Sequence, residues 1–272
     1  VYPDATVIKL EQNYRSTQNV LDAANAVIRN NIGRKDKSLW TEKGEGNRIH
    51  FRPFDTAFEE AEYIANDIKR KKRQAESDYG QCAVLYRTNA QSRLLEESFI
   101  RENIPYDVVG GVNFYSRKEI KDVLAYLKTI DNGKDDLAVK RIINVPRRGI
   151  GAASILRVQE YADSLGISFF LFLQQIDQIP TLGKGKAADK LKDFVTMIQM
   201  FRTKQQFGSL EDLITDVLET TQYTKMLEEA DEEEAEDRLQ NIDELITKVV
   251  SFEQAREDEG EEVTLSAFLE EV

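Results

Sequence analysis

Three short stretches combine residue types that bind bases or phosphate. The first is Gln12-Asn13-Tyr14-Arg15-Ser16-Thr17. Tyr14 offers a flat aromatic face on which a base can stack. Arg15 beside it offers a planar, permanently charged fork suited to phosphate oxygens. The same residues also suit a helix cap with an Arg salt bridge, and so short a motif does not choose between the two. The second stretch is Tyr86-Arg87-Thr88-Asn89-Ala90-Gln91-Ser92-Arg93. Backbone amides at a helix start, with Thr88 and Asn89, can hold a phosphate, and Arg87 and Arg93 add charge. Against this, Asn89 is equally a good N-cap. The third is Val145-Pro146-Arg147-Arg148-Gly149-Ile150-Gly151, a Gly-apolar-Gly hairpin between two helical periods. Its glycines let the backbone approach a phosphate without an intervening Cβ. A similar piece, Leu182-Gly183-Lys184-Gly185-Lys186, opens another helical period. Such contacts read the backbone of a nucleic acid and not its sequence. Two ordinary interhelical turns are the plainer reading.

Other chemistry is missing from the 272 residues. No Gly-x4-Gly-Lys-Ser/Thr loop occurs, and no acidic pair follows a strand to hold magnesium. No metal site is expected in this chain, and any nucleotide role is one in trans, completing a site built by another segment. His50, the single histidine, has no partner in the sequence. Cys82, the single cysteine, reads as a small core residue and cannot form an internal disulfide. Trp40 reads as the anchor of a long loop, residues 169–173 as a core helix face, and the acidic run 231–237 as a solvated loop or helix start. The basic run 69–73 reads as a solvated helix end.

The elements that must position these residues change character along the chain. Residues 6–10, 48–52, 82–86 and 106–109 read as strands, by alternation or as a continuous apolar run of the kind buried in a parallel sheet. Between them, helical periods are expected from Ser16 or Thr17 onward (Val20, Leu21, Ala24, Val27, Ile28), over 58–72 (Ala61, Ile64, Ala65, Ile68) and over 90–102. Beyond Phe114 the periods are helical only: 116–130, 135–143, 152–164, 184–204, 209–219 and 235–257. The expectation is an α/β part over 1–113 with a parallel sheet, followed by an all-α part over 114–272. Its strands are few for a complete doubly wound sheet, so the remainder is expected elsewhere in a parent sequence.

Charge follows the same division. The net charge of −12 argues at first against a polyanionic partner. Residues 205–272, however, hold 22 Asp/Glu and four Lys/Arg, leaving a net +6 on residues 1–204. The acid is confined to the tail, and the rest can meet a nucleic acid locally. No apolar run approaches the roughly 18 residues that a membrane span needs, and the start, Val1-Tyr2-Pro3-Asp4, does not read as a signal peptide. A chain without an initiator Met is expected to be a piece of a longer one. A reducing, cytoplasmic setting is the default for one cysteine.

Taken together, these segments resemble superfamily 1 DNA helicases of the PcrA/UvrD/Rep group. Leu10-Glu11-Gln12-Asn13-Tyr14-Arg15-Ser16 resembles helicase motif IV, and residues 83–93 resemble motif IVa. Residues 110–122 resemble the stretch where the family leaves its second motor domain for an insertion, and residues 146–151 its duplex-contacting loop. The resemblance implies that 1–113 is part of a RecA-like second motor domain and 114–272 the inserted accessory domain. It implies that Tyr14 stacks on adenine, that Arg15 reaches the γ-phosphate, and that Gln12 belongs to the ATP site. Arg87, Thr88 and Asn89 would hold single-stranded DNA. Duplex DNA would meet Arg147, Arg148, Gly149, Ile150, Gly151, Gly183, Lys184, Gly185 and Lys186. ATP and Mg2+ are implied for an intact 3′→5′ helicase, with the metal ligands outside this chain. The implied partners are DNA, the rest of the helicase polypeptide, and repair or replication proteins on the bacterial nucleoid. Without Walker motifs, motif V or the closing arginine motif, autonomous activity is not expected, as for an excised piece. The alternative is a non-enzymatic DNA- or protein-docking module.

Overall fold

A computed structural model describes residues 6, 8–32, 37–178, 184–229 and 232–272. By internal contacts the chain divides into two compact units, Val1–Thr56 and Ala57–Val272.

The first unit contains helix α1 (Gln18–Ile28). Of its apolar periods only Leu21 is buried, and the second buried position is Asn25. Asn25 clamps the returning loop, accepting from the Leu39 amide (3.1 Å) and donating to the Leu39 carbonyl (2.9 Å). The loop closes on the start of α1 through Gln18 N–H to Gly44 O (2.8 Å) and Asn19 N–H to Glu45 O (3.0 Å). Gly46 is obligatory there. Its φ is +73°, and a Cβ would sit 2.3 Å from the Thr17 hydroxyl oxygen. Trp40 takes part in the loop through its backbone, and its side chain remains substantially exposed.

The second unit begins with α2 (Ala57–Arg73) and α3 (Ser92–Arg101), which pack through Ala65, Phe99 and Ile104. A mostly helical body follows: α4 (Lys118–Asp131), α5 (Asp136–Ile142), α6 (Ala152–Leu165), α7 (Phe169–Gln174), α8 (Lys186–Gln205), α9 (Leu210–Thr221), α10 (Tyr223–Glu228), α11 (Glu232–Glu259) and α12 (Leu265–Glu271). Helix α4 is buried along almost its whole length and packs against α5, α8, α9, α11 and α12. The core forms because apolar stripes at helical spacing converge on it. Phe169, Phe170 and Phe172 of α7, as expected of that run, join Phe194 and Phe201 of α8 there. Helix ends are closed locally. Asp135, Ser168, Ser209 and Thr264 accept first-turn amides. Arg202 donates to the Thr129 and Ile130 carbonyls (both 2.8 Å) at the end of α4, its guanidinium 4.9 Å from the Phe170 ring centroid. Tyr223 donates to buried Asp122 (2.7 Å), which also receives Arg141 (2.6 Å). Burial, and then the Asp122 carboxylate, push the Tyr223 phenol well above its ordinary range, so it stays a donor.

The expected α/β RecA-like parallel sheet is not formed. No strand occurs among the described residues, and the one sheet-like contact is an isolated parallel bridge between Gln12 and Trp40. The segments read as strands (6–10 where described, 48–52, 82–86 and 106–109) are non-helical, yet they have no ladder. The physical reason is that alternation and apolar runs specify an extended backbone, whereas a strand exists only through hydrogen bonds to a neighbour. Several of those side chains face solvent (Ile8 is 79% exposed, Phe51 89% and Leu85 93%), while Val84 and Tyr106 pack against the α2–α3 cluster. The helical reading of the later part agrees with the structure.

Candidate nucleotide and nucleic-acid sites

In the first unit, Gln12, Tyr14 and Arg15 sit on one turn. The bridge fixes its base: Asn13 N–H donates to Trp40 O (2.8 Å) and Trp40 N–H to Glu11 O (3.1 Å). The Asn13 side chain then accepts from the amides of Arg15 (2.9 Å) and Ser16 (2.8 Å), an Asx turn that lifts residues 14–15 outward. Tyr14 is 74% exposed, and its hydroxyl donates to the Gln12 side-chain carbonyl (2.8 Å). Lys43 Nζ donates to the Arg15 carbonyl (3.0 Å). The Arg15 guanidinium has no ion pair among the described residues, and Thr17, the N-cap of α1, makes no side-chain cap. Among the described residues, the Arg-bridged cap is not formed. An aromatic face and a charged fork are presented side by side on a turn whose geometry depends on neither.

In the second unit, Arg87, Thr88 and Asn89 lead into a 3-10 turn (Asn89–Gln91) ahead of α3. Gln91 folds back, its side-chain carbonyl accepting from the amides of Arg87 (2.8 Å) and Thr88 (3.1 Å). Those amides are thus already engaged by the protein. Arg87 is exposed, and Thr88 is half-buried. Asn89 donates to Asp237 (3.0 Å). Arg93, expected to add outward charge, is only 2% exposed, held by Glu97 (3.1 Å) and Glu244 (2.7 Å).

The hairpin 147–151 separates its two arginines. Arg147 is exposed, whereas Arg148 turns inward. The Arg148 guanidinium donates to the carbonyls of Ile142 (2.8 Å), Ile143 (3.3 Å), Val145 (3.3 Å) and Pro146 (3.4 Å) and to the Tyr126 hydroxyl, and lies 5.6 Å from the Phe194 ring centroid. The Asn144 side chain accepts from the amides of Arg148 (2.8 Å) and Ile150 (3.2 Å), and Ile150 is buried. The amides of Gly149, Gly151, Ala152 and Ala153 have no protein acceptor among the described residues. Arg148→Ala would leave the Ile143 and Pro146 carbonyls without their donor, while Ile142 O keeps Val145 N–H and Val145 O keeps the Tyr126 hydroxyl. With the lost packing on Tyr126 and Phe194, it is expected to lower stability by about 2 kcal/mol. Urea unfolding of the chain measures this, and an unchanged midpoint would contradict the inward role.

Lys190 joins the hairpin from outside its sequence. Its Nζ donates to the Gly149 carbonyl (3.1 Å), and a Cβ on Gly149 (φ +69°) would lie 2.5 Å from that nitrogen. Lys186 is one helical turn earlier on the same face of α8. The hairpin and the start of α8 thereby form one basic rim with Arg147. Lys184 and Gly185 (φ +95°) precede α8 and are exposed; Gly183 lies outside the described residues. Only a helical spacing of Lys186 and Lys190 marks this in the sequence. Ligands for a metal are not gathered here: no group of three His, Cys, Asp or Glu side chains among the described residues is placed to hold one, and His50 is exposed. No described helix is long and apolar enough to cross a membrane.

The family model described as the UvrD-like helicase C-terminal domain matches residues 8–272. The chain is 45% identical over 268 residues to the ATP-dependent DNA helicase PcrA of Bacillus subtilis, covering 98% of this chain and 36% of that protein. It is 45% identical over 253 residues to the proteins of the same name from Staphylococcus epidermidis and Staphylococcus aureus, covering 93% of this chain and 34% of each. The chain thus spans about a third of the length of these curated relatives.

Proposed function

The chain belongs to the UvrD-like helicase C-terminal domain family, and from that premise we propose that it is a segment of an ATP-dependent 3′→5′ DNA helicase that binds nucleotide in trans and DNA directly. The observation that carries the nucleotide half is the turn at 12–16, where Tyr14 is exposed and the Arg15 guanidinium has no ion pair among the described residues. Such a pair fits ATP: Tyr14 stacks on the adenine, held in orientation by Gln12, and Arg15 reaches the γ-phosphate. ATP supplies the phosphoryl group whose transfer drives movement. In this reading the Mg2+ that accompanies ATP takes its ligands from outside this chain, which has no acidic pair following a strand motif.

On the DNA side, Arg87 and Thr88 hold a single strand, with Asn89 fixing the turn that presents them. Arg147, Lys186 and Lys190, with the amides of Gly149, Gly151, Ala152 and Ala153, meet duplex phosphates. Ile150 anchors the hairpin by burial, and Lys184 and Gly185 extend the rim. Repair or replication proteins would be partners of the whole polypeptide.

The test uses the 272-residue chain with labelled DNA. It is expected to retard a duplex carrying a single-stranded tail and to hydrolyse no ATP, because it contains no phosphate loop. ATP turnover that follows the chain through orthogonal purification steps would refute the in-trans assignment. Failure to bind any DNA at low salt would refute the other half.

A further inference from the structure

The acidic helix α11 carries a polar stripe that the proposed function has not used. Asp237, Asn241, Glu244 and Lys248 recur at helical spacing and so share one face. Asn241 is buried, 4% exposed, in the middle of the most acidic part of the chain. Asp237 reaches the segment that leads into α3 directly, Glu244 reaches the second residue of α3, and Asn241 reaches the segment through Arg117. Asp237 accepts from the Asn89 side chain (3.0 Å). Asn241 accepts from Arg117 Nη1 (2.6 Å) and donates to buried Glu119 (2.6 Å). Arg117 in turn donates through Nη2 to the Asn89 carbonyl (3.0 Å) and the Ser92 hydroxyl (2.7 Å), and Ser92 donates to Glu96 (2.6 Å). Glu244 pairs with buried Arg93 at 2.7 Å. Every group in this network has its partner, and both ends of the turn at 89–93 are held by it. A fully satisfied buried polar network specifies one geometry, because any slip leaves polar groups unpaired.

We propose that α11 is a strut that positions the candidate single-strand segment, with Asp237, Asn241 and Glu244 as positioning residues acting through Asn89, Arg117 and Arg93. This rests on the reading of Arg87 and Thr88 as the strand contacts. It assigns two of α11's carboxylates a purpose that net charge conceals: Glu244 answers the Arg93 guanidinium and Asp237 the Asn89 amide, which with Arg117 set the aim of Arg87. It also makes Asn89 part of the mounting, since its side-chain amide is given to Asp237.

The sign of the effect distinguishes this role from simple electrostatics. Removing a carboxylate near a bound polyanion strengthens binding if the carboxylate acts only by its charge. The strut makes the opposite demand. In the 272-residue chain, Glu244→Ala and Asn241→Leu are each expected to weaken binding of a fluorescent oligo-dT about tenfold. Affinity for a blunt duplex, which the hairpin and α8 would meet, should stay within about twofold, and Arg87→Ala serves as reference for the strand contact. Tighter or unchanged oligo-dT binding by Glu244→Ala, where Arg87→Ala weakens it, would overturn the strut while leaving the single-strand reading intact. Unchanged binding in all three variants would overturn that reading and the strut with it. Equal losses on both probes in Asn241→Leu and in the milder Glu244→Ala would show general loosening of the fold, and that also overturns a positioning role.

Discussion

On the in-trans reading proposed above, Arg15→Ala in a protein that joins this chain to a phosphate loop is expected to lower kcat for ATP hydrolysis by about 10³-fold or more, with DNA affinity nearly unchanged. An arginine supplied to a transferring phosphoryl group is worth roughly 10³–10⁵ in rate, because it meets charge that develops in the transition state. The structure makes the variant a clean one. The turn is formed by Asn13 and the Gln12–Trp40 bridge, and Lys43 binds the Arg15 backbone carbonyl, so truncation leaves these bonds in place. Tyr14→Ala should divide the effects differently. Stacking on a base is worth about 1–3 kcal/mol, so nucleotide affinity should fall by at least about fivefold, with a much smaller change in kcat. Asn13→Ala supplies the structural control, since it abolishes the Asx turn and should impair both parameters. Steady-state ATPase kinetics with saturating single-stranded DNA, together with binding of a fluorescent ATP analogue, separate these outcomes. A kcat within a few-fold of wild type for Arg15→Ala would remove Arg15 from the phosphate site.

How much of this is legible in the sequence depends on whether a feature is specified locally. Helices α6, α8 and α9 follow the expected periods closely, because a stripe at three- and four-residue spacing needs only its own residues. The short helices α10 and α12 lie outside the expected periods, whereas the equally short α5 and α7 are read from 135–143 and 169–173; Thr264 before α12 is a readable cap. The strands fail for the opposite reason. Residues 82–86 have the composition of a buried strand, but pairing is supplied by a neighbour, and none pairs with them among the described residues. In the sites, two adjacent arginines cannot be told apart by type, yet Arg147 faces solvent and Arg148 closes the backbone of residues 142–146. Lys190 meets Gly149 across 41 positions, a distance at which spacing carries no signal. The stripe Asp237, Asn241, Glu244 is visible as a periodicity, but acidic composition makes it read as solvated.

Duplex binding should fall about a hundredfold in a Gly151→Val/Lys186→Ala/Lys190→Ala chain, while oligo-dT affinity changes little. The size follows from deleting two cations at the phosphates and obstructing the amides at the start of α6, each worth about 1 kcal/mol or somewhat more. Gly151 is the informative glycine. Its φ of −80° suits any residue, and a Cβ there meets nothing within 4 Å, so a Val side chain fills only space that a phosphate would need. Gly149 cannot serve, because its positive φ and the nearby Lys190 amine make any side chain a folding defect first. The two lysines have a second signature. Deleting a lysine that neutralises one phosphate should lower the slope of log affinity against log salt by about one. Lys190 contributes in a further way: its bond to the Gly149 carbonyl places a positive charge against the hairpin, so Lys190→Ala alone should cost more than Lys186→Ala. None of the changes should alter preference among duplex sequences, because phosphate contacts carry no base information. Titrations of blunt duplex and oligo-dT at several salt concentrations decide the matter. A duplex affinity that withstands all three substitutions would return the hairpin and the start of α8 to ordinary interhelical connections. It would leave the helical unit as a surface for docking proteins.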